Sequence, residues 1–556
     1  MRPLLLAMAV ILAIRALLAW GVPSPLIFPD ELVYTKLARS LFETGQTLFR
    51  GEYLNFPTLL YPLLLVPFEG APDAIVAFRL IQALNVLLMT SAIIPVYLLA
   101  RNFMTPRISL GLAVLSQLLA STLYADFAMT ENLFFPVLLW SAYFAVRAAA
   151  GPEWQWKAGL GLILAIGFFS KPHGMVALPV VLGCLALAAA IGGGREGAWR
   201  RFAGYWPAFA ILGAAIGLQL LRSLTLGGGH VDANSAFGSY AGAFGSGRAF
   251  NLRAFVWAGI GTVQSVAMSV GFLPLVLAGF SWVAGWRKRS AAPGEWALAV
   301  FTVVLGVLLI TITSYHTVMN DDGIRLHERY CFHLAPLLLV GAALAVREIE
   351  LELPDVWVGA IFAITGAIYI QGVHGSPLVV DSLTLSAFLP LMAKVGSLAA
   401  AIGAGIVLPA LVFWGGFLII RKKPGQAAGI LAVYMVTIAG LAYVAHRSAS
   451  MGWGYRARYV PFIKANARPD RPIAFLVHGG QFWDYLMIEF HLRHQTRYFQ
   501  LYNYPQGFNE QRAGLSRWGQ LEAISALPDG TRVVAPADVP LSLPILGEFD
   551  SLVMYE

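Results

Sequence analysis

Four short stretches of this 556-residue sequence carry side chains able to do chemistry, and each borders a long apolar run. The first reads Phe28-Pro29-Asp30-Glu31-Leu32-Val33-Tyr34; its helical pattern continues to Leu41 and breaks at Gly45. Asp30 reads as a helix N-cap with Glu31 favoured beside it by the helix dipole. It reads equally as a general base, because a carboxylate poised at a lipid surface can take the proton from a hydroxyl or amine attacking an anomeric carbon. Tyr34 shares a helical face with Glu31 and is a candidate substrate contact. The second stretch, Tyr124 to Asn132, holds Asp126 and Glu131. Glu131 stands at or just inside an apolar run, where an ionisable group is costly and a functional candidate by default; it also reads as an ordinary first-turn helix acid.

The third stretch, Ser170-Lys171-Pro172-His173, puts a lone cation between two apolar runs. A lipid-linked phosphate would account for it, since a leaving phosphate needs positive charge as its bond breaks; a lysine snorkelling at a span end would account for it too. The fourth, His316 to Tyr330, offers Arg325, His327 and Arg329 as phosphate donors. Arg329 leads directly into an apolar run and can make a bidentate phosphate contact. Tyr330 beside it is a candidate substrate contact, and Asp321-Asp322-Gly323 reads as a turn.

These stretches must be held by membrane elements. Hydrophobic residues make up 58% of the chain and charged ones only 12%, with a mean hydropathy of +0.68; soluble domains carry about a quarter charged residues. The net charge of +8 sits in short clusters between apolar runs, which is orientation information and not a nucleic-acid stripe. Runs of about 20 apolar residues fall near 3–22, 74–100, 107–124, 131–149, 157–170, 174–192, 203–222, 260–284, 296–315, 330–346, 355–372, 390–420 and 427–446. That predicts thirteen spans. With the N-terminus cytoplasmic, the basic connections all fall on one side: Arg101/Arg107, Arg147/Lys157, Arg195/Arg200/Arg201, Arg287/Lys288/Arg289, Arg347 and Arg421/Lys422/Lys423. The four candidate stretches then share the opposite, outer face, together with loop 23–73, the Gly-rich loop 223–259 and everything after about 447. Arg15, inside the first run, reads as snorkelling or as facing the bundle interior.

After residue 447 the composition turns polar, and segments 472–477, 481–492 and 532–535 read as strand, amphipathic helix and strand. The expected architecture is an all-α polytopic bundle (residues 1–446) carrying a small C-terminal α/β domain (447–556) on the outer side. Cys184 and Cys331 lie in different apolar runs and suggest no disulfide. Asp30, Glu31 and Glu131 can share a divalent cation through oxygen ligands, but no spacing demands a metal.

The order of these features resembles the GT-C superfamily of membrane glycosyltransferases, in particular the branch of protein O-mannosyltransferases and lipid A aminoarabinose transferases. Asp30-Glu31 in PDELVYTKLARSLFETG is similar to that family's first-loop acid pair. Glu131 in MTENLFFP, or in second place Asp126, is similar to its second acid. Ser170-Lys171-Pro172 resembles its basic turn, and Glu328-Arg329-Tyr330 with Pro336 its ERY motif. Where the aminoarabinose transferases carry a Lys-Pro-Pro phosphate contact, this chain reads Asn55-Phe56-Pro57-Thr58. The resemblance implies an inverting transfer, without a covalent intermediate, from a polyprenyl-phosphate sugar to an envelope glycan, lipid or protein. In that reading the protein lies in a bacterial inner membrane. Asp30 is the base, Glu31 and Glu131 orient it or the acceptor, and Lys171, Arg329, His327 and Arg325 hold the phosphate. Trp453, Trp483 and Trp518 can stack on sugar rings, although each also suits core packing. A transporter or flippase of a lipid-linked sugar is the alternative, and a noncatalytic assembly subunit the third reading.

Overall fold

The computed structural model of the chain describes residues 2–50, 52–192, 197–226, 249–288, 292–320, 326–348, 350–371, 381–467, 473–478, 482–492, 496–501, 530–538, 541 and 543–556. Among them, nine helices are long and apolar enough to cross a membrane. Two helix pairs, bent by 59° after Ser116 and by 106° after Ser269, raise the number to eleven if each counts as one span. The expected spans 157–170 and 330–346 fall on helices Trp154–Ser170 and Ala335–Glu348, which at 17 and 14 residues are apolar but short. The protein is a multi-pass membrane protein whose helices turn large apolar side chains such as Leu6, Leu17, Ile191 and Ile406 outward, as a lipid solvent requires.

Polar side chains inside the bundle mark where helices are broken. Arg15 is buried and faces the interior, donating to Thr90 Oγ1 at 3.2 Å and to the Gln117 carbonyl at 3.0 Å. The Gln117 carbonyl lies where helix Pro106–Ser116 ends and a 3₁₀ turn, Ala120–Asp126, begins. Backbone freed by such a break must find partners within the protein. Asn85 and Asn132 each reach the Phe127 carbonyl at 2.8 Å, and Asn132 also reaches Met129 O at 3.1 Å. The unwound stretch 127–130 is thereby fixed, and helix Glu131–Ala150 starts with its first acid at the bundle edge.

The break at Lys171 has a local cause. A residue before proline is driven out of the α region, and Lys171 is extended (φ −154°, ψ 141°). Pro172 then suits the first position of the next helix, Pro172–Gly192. Helix Trp154–Ser170 therefore stops where the cation sits.

The C-terminal part begins as a direct extension of the last long helix, which runs Pro424–Gly454 and so passes the expected boundary at 447. The predicted strand, helix and strand appear as Ile473–His478, Phe482–His491 and Arg532–Pro536. They belong to a five-stranded mixed sheet. Numbering Leu48–Phe49 and Glu52–Tyr53, a small antiparallel pair in the first loop, as β1 and β2, the sheet strands are β3 (Ile473–His478), β4 (Thr496–Leu501), β5 (Arg532–Pro536), β6 (Ile545–Phe549) and β7 (Leu552–Tyr555), in the order β4-β3-β5-β7-β6. β3 is parallel to β4 and β5, whereas β7 is antiparallel to its neighbours. Phe475, Tyr485, Ile488, Val534 and Met554 form its core.

This domain is bound to the first loop. Arg50 grips Glu489 in a two-armed ion pair at 3.2 and 3.1 Å, and Lys36 Nζ donates to the Leu492 carbonyl at 3.0 Å. Phe28 packs on Trp453 and Trp483, with ring centroids 5.8 and 5.9 Å away. Helix Pro29–Thr44 is thus held between the bundle and the C-terminal domain.

Candidate functional site

Sequence-distant segments converge on one cavity of about 600 Å³. Its wall includes Asp30 and Tyr34 from the first-loop helix, Glu131 from the start of the fourth predicted span, and Lys171 and His173 from the proline break. His327, Arg329 and Tyr330 enter from the stretch before helix Ala335–Glu348. Asp30, Tyr34, Glu131, Lys171, His327, Arg329 and Tyr330 thus share one cavity, Glu31 and Asp126 do not line it, and Arg325 lies outside the described residues.

The charges are arranged in pairs. Lys171 Nζ lies 2.8 Å from Glu131 Oε1, with both side chains almost wholly buried. Arg329 Nη1 lies 3.1 Å from Asp30 Oδ2, and the Asp30 carboxylate stays 44% exposed. The ring of Tyr330 lies between the cations, with Lys171 Nζ 4.9 Å and the Arg329 guanidinium 4.8 Å from its centroid. Arg329 Nη2 also donates to the Tyr330 hydroxyl at 2.9 Å. A buried ion pair is weak evidence for stability, because desolvating each ion costs several kcal/mol. One buried pair and one half-exposed pair beside one cavity point to a ligand-facing purpose.

Glu31 has a different position from its neighbour. It is fully buried, and its carboxylate accepts from the Phe28 amide at 3.0 Å and the Ala128 amide at 2.9 Å. The helix N-cap is Phe28, so Asp30 sits in the first turn and Glu31 does the reaching back that the Asp30 cap reading had assigned to its neighbour. Glu31 therefore ties the first-loop helix to the unwound stretch carrying Glu131. Burial pushes its carboxyl up to about 7, the two backbone donors opposing the rise. Asp126 also lies away from the cavity, with Oδ2 3.3 Å from His446 Nε2 in the bundle interior.

Several wall residues carried no flag in the sequence. His316 and Asp381 line the cavity, and Leu54 and Phe56 add an apolar side. Asp381 opens Asp381-Ser382-Leu383-Thr384, a polar run that reads as an ordinary loop and helix cap. Its signal is of the same kind as that of Glu131, an acid directly before an apolar stretch. Of the three tryptophans, Trp483 lines the cavity while packing on Phe28 and Trp453, and Trp518 lies outside the described residues. No group of three or more His, Cys, Asp or Glu side chains placed to hold a metal ion occurs among the described residues. Asp30, Glu31 and Glu131 turn to separate partners, so the shared-cation arrangement does not form from them.

Residues 72–219 match the family model described as dolichyl-phosphate-mannose-protein mannosyltransferase. No curated protein matches the sequence. In three dimensions the chain is similar to ArnT from Cupriavidus metallidurans in the apo state, at 15% identity and a TM-score of 0.56, covering 98% of this chain and 97% of that one. It is also similar to the same protein bound to undecaprenyl phosphate, at 14% identity, a TM-score of 0.55 and the same coverage. The chain has the fold of the GT-C membrane glycosyltransferases.

Proposed function

We propose that this protein is a glycosyltransferase that moves a sugar from a polyprenyl-phosphate carrier to an envelope glycan, lipid or protein, with Asp30 as general base. The observation that carries the reading is the alternation of Asp30 and Glu131 with Arg329 and Lys171 around Tyr330 in one cavity. The match over residues 72–219 and the likeness to ArnT, one structure of which holds undecaprenyl phosphate, support it.

The chemistry follows from the pairs. An acceptor hydroxyl or amine attacks the anomeric carbon from the face opposite the phosphate and inverts it. A new bond from C1 to the acceptor oxygen or nitrogen forms as the C1–O bond to phosphate breaks, and the electron pair stays on the phosphate oxygen. The acceptor's proton passes to Asp30, half-exposed at the cavity. Arg329 pairs with Asp30 and Lys171 with Glu131. A phosphate between the two cations competes for both, which leaves Asp30 able to accept a proton where charge is developing. His327 and Arg325 add donors to the phosphate, Tyr34 and Tyr330 contact substrate, Glu131 orients the acceptor, and Glu31 holds the helix that presents Asp30. The side of the membrane follows from the basic connections, which put the cavity and the C-terminal domain of a bacterial inner-membrane protein on the outer face.

The test is transfer of radiolabelled sugar from a panel of polyprenyl-phosphate donors to envelope extract. Product is expected with wild type and not with Asp30→Asn. Movement of a lipid-linked sugar across liposomes by the purified protein, without any glycosyl product, would replace this reading with transport.

A further inference from the structure

Asp381 is fully buried, and it reaches the cavity from a segment that follows helix Leu353–Gln371. Its Oδ1 lies 3.2 Å from His327 Nδ1 and 3.9 Å from Arg329 Nε. The next residues fix it there. Glu328, also fully buried, accepts from the Ser382 hydroxyl, from the Thr384 amide at 3.1 Å and from the Thr384 hydroxyl at 2.5 Å. The run from His327 to Tyr330 is therefore clamped to the start of 381–386 by two acids, one from each side. Arg329 consequently meets two carboxylates, Asp30 at Nη1 and Asp381 near Nε. The Asp30 contact is half-exposed and can be exchanged for a ligand; the Asp381 contact is buried and held by its neighbours.

We infer that Asp381 is a positioning residue that keeps the phosphate site under-charged, so that the spent carrier leaves more readily than the loaded carrier; this rests on the transferase reading above. A polyprenyl-phosphate sugar is a phosphodiester with one negative charge. The polyprenyl phosphate left behind is a monoester, carrying about −1.5 to −2 at neutral pH. A fixed carboxylate behind the Arg329 guanidinium repels both species, and repels the product more. At 3.9 Å the contact acts through charge and not through a hydrogen bond. At the effective dielectric suited to protein sites, one further like charge within about 7–8 Å changes binding on the order of tenfold or more.

The experiment compares full-length wild type with Asp381→Asn, a near-isosteric change that removes the charge, and with Asp381→Ser as a second neutral variant in case the first fails to fold. Initial rates give donor KM and kcat, and added undecaprenyl phosphate gives a product inhibition constant. Donor KM is expected to fall on the order of tenfold, the inhibition constant to fall by about a further three- to tenfold or more for the monoester's extra charge, and kcat to drop as release slows. An unchanged ratio of inhibition constant to KM, or weaker binding of both, would overturn the inference, because a merely structural role moves them together. Direct titration with undecaprenyl phosphate, followed by the melting temperature in detergent, needs no turnover. If wild type transfers nothing, the transferase reading fails by itself. Tighter binding by the neutral variants in that titration still supports the charge role, and equal or weaker binding rejects it.

Discussion

Glu31→Gln separates two adjacent acids that look interchangeable in sequence. In the wild type the Glu31 carboxylate takes hydrogen bonds from Phe28 and Ala128, 97 residues from Glu31 in sequence. A glutamine can accept only one of them and turns its amide N–H groups toward the other donor. Leaving one buried donor unpaired costs about 1–3 kcal/mol. The pH dependence gives a sharper signature. Burial raises this carboxyl from 4.5 to about 7, so the folded protein binds the proton more tightly than the unfolded chain. The stabilisation is complete below the unfolded value and is lost as pH rises through the folded one. Between pH 5 and pH 8 the loss amounts to about 2–3 kcal/mol. Glutamine does not titrate, so the stability gap between wild type and Glu31→Gln should narrow by that amount from pH 5 to pH 8, read as converging melting temperatures. Glu328, also raised to about 7 by burial, adds a similar slope to both proteins and cancels in the difference. Melting curves in detergent at several pH values are the assay. A gap that stays constant across this range, with activity lost at every pH, would refute the structural role and return Glu31 to the chemistry.

Asp30→Asn should lower kcat by roughly 10²- to 10⁴-fold with an unchanged melting temperature, since this half-exposed carboxylate makes its ion pair at the cavity edge; measuring both on one preparation checks it. Lys171→Gln should destabilise the protein by about 3–5 kcal/mol, because it leaves Glu131 buried without its cation, and the double variant Lys171→Gln/Glu131→Gln should recover much of that loss in thermal melts. Arg329→Lys keeps the charge but loses the planar fork; donor KM should rise about tenfold in initial-rate assays. Glu489→Gln should loosen the C-terminal domain from the first loop, read as faster proteolysis after residue 454 and a higher KM for acceptor.

How much of the site was legible depended on where each residue's partners lie. Asp30, Glu131, Lys171 and Arg329 stand at breaks in apolar runs, and a charge at such a break is visible in one dimension. Lys171 even carries its own cause, the proline that ends one helix and starts the next. Asp381 and His316 line the same cavity, but neither stands at a break with a recognisable partner nearby in sequence; His327, which Asp381 meets, lies 54 residues away. The partners of Glu31 were hidden for a different reason. Its neighbour and its spacing looked catalytic, while its partner Ala128 comes from another loop.

Membrane class, the short apolar runs and the strand-helix-strand of the C-terminal part follow from hydropathy and period, which are properties of the chain read locally. The bent pairs, the two short apolar helices and the continuation of the last helix to Gly454 do not. They depend on which neighbours satisfy a broken backbone, as Asn85 and Asn132 do at Phe127. Sequence by itself determined which charges stand at the edge of the apolar bundle, because leaving an ionisable group in an apolar run has a large and local cost. Only the tertiary structure decided which of them meet, since pairing Asp30 with Arg329 and tying Glu31 to Ala128 required distant loops to be folded onto one cavity.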